Sequence, residues 1–132
     1  MTRKNSILIL KLVIAIILLQ TLFFKFSGAQ ESIDLFTKIA GKNEAFMRIG
    51  TGVLELTASF LLFIPKKTWM GAILTFGLMS GAILSHLTII GIEHHNDGGA
   101  LFFSALIAFI AAGILLFLYR KELPFFKHQK IS

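Results

Sequence analysis

The residues of this chain best suited to chemistry are ionisable groups set inside long apolar runs. Glu55 lies in the middle of Met47–Ile64, which reads MRIGTGVLELTASFLLFI. A charged group at that depth in a membrane is costly unless it is paired or wet, so its position asks for a partner. Arg48 stands seven residues earlier, about 10 Å shallower at 1.5 Å per helical residue. Thr51 and Ser59 flank Glu55 at four-residue steps, so Arg48, Thr51, Glu55 and Ser59 form one polar stripe on a helix. Such a stripe faces protein or water rather than lipid. Two readings of Glu55 stand side by side: a hydrogen-bonded group that ties two helices together, or a group that handles a ligand or a proton. His86 is the second case, six residues before the end of the run Trp69–Ile92 and about 9 Å below it. If these two runs are antiparallel neighbours, Glu55 and His86 share a depth, and a carboxylate–imidazole pair is the expectation.

Other polar residues crowd the same half. Gln20 and Lys25 come late in the first apolar run, and Asp97 precedes the last. Taken singly, each has a plain role. Lys25 is expected to snorkel to the interface, Arg48 to pair with Glu44 one turn away on the surface, and Asp97 to cap the helix that Gly98 and Gly99 open. Taken together, Lys25, Arg48, Glu55, His86 and Asp97 are the candidate ligand- or proton-handling set; no catalytic residue is named. Gly77, Gly81 and Ser85 recur at four-residue steps, a small-residue face expected to pack on another helix, within or between protomers. Glu93-His94-His95-Asn96-Asp97 holds imidazole and carboxylate groups but lacks a zinc spacing; it reads as a solvated loop, with no metal.

The elements that must position these groups are transmembrane helices. Apolar residues make up 55% of the 132 and charged residues 15%, with no cysteine. The lack of cysteine excludes thiol redox chemistry, cysteine-ligated metal and disulfides. Four runs, about 7–26, 47–64, 69–92 and 99–119, match the ~17–25 residues that cross a hydrocarbon core. The expected fold is an all-α, integral-membrane four-helix bundle forming a single domain over 1–132, with the lipid bilayer as its first partner. The net charge of +6 would suggest nucleic acid in a soluble chain, but the basic residues flank apolar runs, so no nucleic acid is expected. Nine Lys and Arg fall on the side of the termini, Lys127 and Lys130 among them. Four (Lys25, Lys38, Lys42 and Arg48) fall on the other. The positive-inside rule then puts both termini in the cytoplasm. Pro65-Lys66-Lys67-Thr68 is a tight turn between the second and third spans. The Ser27–Phe46 connection is long enough for a two-turn amphipathic helix over about 32–41. Ser32 would cap it and Gly41 end it, with Ile33, Phe36, Ile39 and Ala40 on one face. Arg3, Lys4, the following apolar stretch and Ser27-Gly28-Ala29 also fit a cleaved secretory signal. Lys25 is awkwardly placed for that, and a retained first span is the expectation.

Phe24-Lys25-Phe26-Ser27-Gly28, Arg48-Ile49-Gly50-Thr51-Gly52-Val53-Leu54-Glu55-Leu56, Ser85-His86-Leu87-Thr88 and Asp97-Gly98-Gly99, in this order and spacing, resemble the DoxX-like family of small bacterial membrane proteins. The resemblance implies four transmembrane helices, a retained first span and a place in the bacterial inner membrane. Lys25, Glu55 and Asp97 match positions where relatives carry similar polar residues. Some relatives are subunits of a thiosulfate:quinone oxidoreductase and others belong to membrane-associated oxidative-stress complexes. Three functions follow as expectations. The first is a non-catalytic subunit or scaffold, a homo-oligomer or the companion of a membrane or soluble redox partner. The second is a quinone- or lipid-binding component of an oxidoreductase, with quinone the cofactor it would take and Glu55 and His86 exchanging protons. The third is a small-solute or proton transporter, for which neither a broken helix nor an inverted repeat is visible.

Overall fold

A computed structural model describes residues 2–123. Lys127 and Lys130, counted above for orientation, lie outside the described residues. Helix α1 spans Arg3–Ser27, α2 Gln30–Ala40, α3 Glu44–Phe63, α4 Thr68–Ser85 and α5 Ala100–Leu118, and no strand occurs among the described residues. Four helical stretches are long and apolar enough to cross a membrane. They overlap the four expected runs, the second stretch being longer because it takes in α2 as well as α3. The antiparallel spans form a ring in which α1 packs on α3 and α5, and α4 packs on α3 and α5. Ile16, Phe23, Phe60 and Phe117 point outward, each more than 60% exposed, as lipid-facing side chains must.

The core is a seam of small residues. Ala105, Ala108, Ala111 and Ala112 of α5 and Ala58 of α3 meet Ile14 and Leu18 of α1, Leu62 of α3 and Leu115 of α5. With lipid on one side and protein on the other equally apolar, close approach rather than water exclusion holds such helices together. Backbone meets backbone most closely at Gly71 of α4. A Cβ there would fall 2.7 Å from the Leu62 nitrogen and 2.8 Å from the Ala58 oxygen, so only glycine admits the neighbouring backbone. The face expected to serve that purpose does not do so inside the protomer: a Cβ added at Gly77 or Gly81 would meet no other element within 4 Å. Their small size opens a space instead.

The helix ends carry specific devices. Gly28, at φ +71°, turns α1 off in the left-handed region, where a side chain would be strained. The long connection holds α2 as expected, but the helix starts at Gln30 and makes three turns. Ala29 rather than Ser32 is its N-cap, without a side-chain bond, and Gly41 ends it. At the far end of α4, His86–Ile90 forms a π turn closed by a 2.7 Å bond from the Gly91 N–H to the His86 carbonyl. The regular α-helical span thus ends at Ser85, earlier than the apolar run suggests.

Candidate functional site

The end of the bundle opposite the termini holds a cavity of about 780 Å³ between the four spans, roofed by α2. That is a usual size for a small-molecule site. Leu18, Leu35, Phe36, Ile39 and Met79 supply much of the apolar wall, and Gly77, Gly81 and Ser85 leave room on the α4 side. Lys25, Glu55, His86, His94 and Asp97 supply polar groups. Four of the five candidates named from the sequence therefore surround one space. Arg48 stands outside its wall.

The pairing differs from the one expected. Glu55 Oε1 lies 2.8 Å from Lys25 Nζ, not against His86. The two side chains are 4% and 13% exposed, so Lys25 turns inward instead of snorkelling. Two neighbours set this geometry. The Phe26 ring packs on Gly52, where an added Cβ would sit 2.7 Å from it, so α1 and α3 approach closely one turn from Glu55. Thr21 then accepts a second bond from Lys25 Nζ at 3.0 Å, while its own hydroxyl donates to the Leu18 carbonyl. An ammonium with a carboxylate and a hydroxyl around it can remain in a low-dielectric wall.

Arg48 bonds Glu44 at 3.0 Å, as its spacing implies, but it is only 8% exposed rather than at the surface. Its guanidinium also donates to the Lys25 carbonyl, at the negative end of the α1 dipole. It thereby fixes the segment that carries Lys25. The polar stripe holds as a whole, since Arg48, Glu55 and Ser59 are buried and Ser59 donates to the Glu55 carbonyl.

His86 is 4% exposed. Its Nδ1 lies 2.9 Å from the Gly91 carbonyl, which can only accept, so Nδ1 carries the proton and a neutral ring keeps Nε2 as an acceptor. The π turn and this ring bond close on the same residue, Gly91. His94 corrects the solvated-loop reading. It is 2% exposed, and its Nε2 donates to the Glu31 carbonyl at 2.7 Å, from the loop to the roof helix. Its Nδ1 is buried and without a partner among the described residues. The His95 ring lies beside it, 4.4 Å away and tilted by 40°, and reaches Asp34 at 3.0 Å. The buried His94 thus fastens α2 over the cavity, with His95 touching it from the surface, and no sequence spacing marks them for that. The Gln30 amide, above all, holds the exposed Asp34 carboxyl below its ordinary range, with His95 adding to it against slight desolvation. Among the described residues no three His, Asp or Glu side chains converge to hold a metal.

Asp97 caps α5 as expected. Its Oδ1 accepts from the N–H groups of His94 (3.1 Å) and Gly99 (2.8 Å), and its Oδ2 from Leu101 (3.1 Å). Gly99, at φ +88° and with Phe103 2.9 Å from any Cβ, admits no side chain there. Burial pushes the Asp97 carboxyl up, but these three donors, with the nearby His86 adding to them when it is charged, outweigh it and hold the pKa below the ordinary carboxylate value. A depressed folded pKa means that the cap's stabilisation is fully present above the unfolded value and is lost as pH falls through the folded one. Asp97→Ala is expected to destabilise by about 1 kcal/mol at neutral pH. In thermal unfolding the gap between variant and wild type should hold steady above about pH 5 and narrow below about pH 4. A gap that widened in acid would contradict this account.

The DoxX family model matches residues 6–88 of the chain. The chain belongs to the DoxX family. The matched stretch covers Lys25, Arg48, Glu55 and His86, so the ion pair and the π-turn histidine lie inside the DoxX region, while Asp97 and α5 lie beyond it. No curated protein and no solved structure matches the chain.

Proposed function

We propose that this DoxX-family protein is a subunit of the bacterial inner membrane, with cytoplasmic termini, that holds a quinone- or lipid-like amphiphile under α2 and has no catalysis of its own. One observation carries the reading: a cavity of about 780 Å³ with apolar walls that include a buried Lys25–Glu55 ion pair and the rings of His86 and His94. An apolar space with few, oriented polar groups suits a molecule with an oily body and a polar head. Lys25 offers donors to a head oxygen. The orphaned Nδ1 of His94 and the Nε2 of His86 suit a hydroxyl donor. A quinone, when bound, supplies two-electron, two-proton chemistry. Glu55 and His86 fit the proton side of it, and a partner redox subunit fits the electron side. The orientation rests on the excess of Lys and Arg near the termini.

Native mass spectrometry of protein extracted gently from its own membrane tests this reading. A retained small molecule of quinone or lipid mass is expected, at about tenfold lower occupancy in Glu55→Gln, whose loss of charge leaves Lys25 without its counter-ion. Recovery of a partner polypeptide with no small molecule would overturn the ligand reading in favour of a non-catalytic scaffold.

A further inference from the structure

The opposite end of the bundle holds a second pocket, of about 630 Å³, with Arg3, Lys4 and Lys11 in its wall beside Tyr119 and Glu122. Lys11 is the unusual member. It lies eight residues into α1, about 12 Å beyond Arg3. It shares a helix face with Ile14 and Leu18, which are 0% and 1% exposed, so it is directed at the bundle and not at lipid. Lys25 stands further along that same face and has Glu55. Among the described residues no carboxylate lies within ion-pair distance of Lys11; its ammonium rests 5.9 Å from the Phe63 ring centroid. Glu122 offers one negative charge against the three cations of the wall. Arg3 is held in place by its 2.6 Å bond to the Leu118 carbonyl at the end of α5. The site therefore presents a positive charge excess, with Arg3 and Lys4 exposed at its rim and Lys11 set deeper, where an uncompensated cation is expensive.

We propose that this pocket binds the phosphate of an anionic phospholipid, with Lys11 as its innermost contact. A phosphodiester supplies the missing counter-charge, and basic pockets between membrane helices suit it. The pocket is also continuous with an oily track. Leu8 lines it and is 49% exposed, and Leu12 and Ile16 continue outward along α1 at 44% and 62%. Acyl chains can lie on that track while the head enters the pocket, which favours a lipid over free phosphate as the source.

The test uses the full chain in a zwitterionic detergent, titrated with phosphatidylglycerol, phosphatidylcholine or inorganic phosphate, read by native mass spectrometry and thermal shift. Phosphatidylglycerol is expected to bind in preference to phosphatidylcholine. Lys11→Gln should cut that preference about fivefold, and Lys11→Arg should restore it. Lys66→Gln, which removes a cation in the α3–α4 turn outside the pocket, should leave it unchanged. Should Lys11→Gln fold poorly, Lys4→Gln at the exposed rim supplies a second reading, with a smaller loss expected. An undiminished preference in Lys11→Gln, or equal binding of phosphatidylcholine, overturns the site. Displacement of phosphatidylglycerol by inorganic phosphate at matched concentration overturns the lipid source.

Discussion

Glu55→Gln is expected to lower the unfolding free energy in detergent micelles by about 3–5 kcal/mol, because it strands the Lys25 ammonium in a wall built for a charge pair. Lys25→Met should cost a similar amount by leaving the Glu55 carboxyl without its cation. The double variant Lys25→Met with Glu55→Gln should lie within about 1–2 kcal/mol of the wild type, since an apolar and a neutral amide side chain of matching size need no counter-charge. Equilibrium unfolding of all four proteins gives the coupling directly. Additive losses would mean that the 2.8 Å contact contributes no pairing energy, and that each side chain matters only through its own packing in the wall. The same cycle separates stability from binding. If the double variant is stable yet holds no ligand, the pair belongs to the site as well as to the fold.

His94→Ala should unfasten the roof. The substitution removes a ring that is 2% exposed, its bond to the Glu31 carbonyl and its contact with the His95 ring. Loss of a buried aromatic and its hydrogen bond is worth roughly 2 kcal/mol, so amide exchange in Gln30–Ala40 should rise about thirtyfold while exchange in α3 and α5 stays unchanged. His95→Gln is the comparison. Its contact with Asp34 is about 40% exposed on both sides, and such surface pairs contribute little. Exchange in α2 should therefore scarcely move. Equal exchange in His94→Ala and wild type would show that α2 is held by Phe36 and its neighbours, with the histidine bond incidental.

Much of this molecule was legible in one dimension. Four apolar runs of spanning length between basic flanks allow only a helical membrane bundle, because lipid leaves no other partner for the backbone. The polar stripe at four-residue steps placed Glu55, Ser59 and Arg48 on the protein-facing side of α3, and Asp97 before two glycines announced a cap. These are local properties, set by helical period and by the donors and acceptors at helix ends. Partner choice is another matter. The sequence pointed Glu55 to His86 and Lys25 to the interface, whereas the rotation of α1 about its own axis brings Lys25 to Glu55 instead. That rotation depends on where Phe26 meets Gly52 and on the Arg48 bond to the Lys25 carbonyl, both contacts between distant parts of the chain. The small-residue step on α4 was visible, but not that Gly71 would take the close crossing while Gly77 and Gly81 lined a cavity. His94 looked solvated because nothing in a short polar loop shows that a helix 60 residues earlier will fold over it. Period and composition act within an element, whereas a pair, a roof or a cavity exists only after the elements have packed.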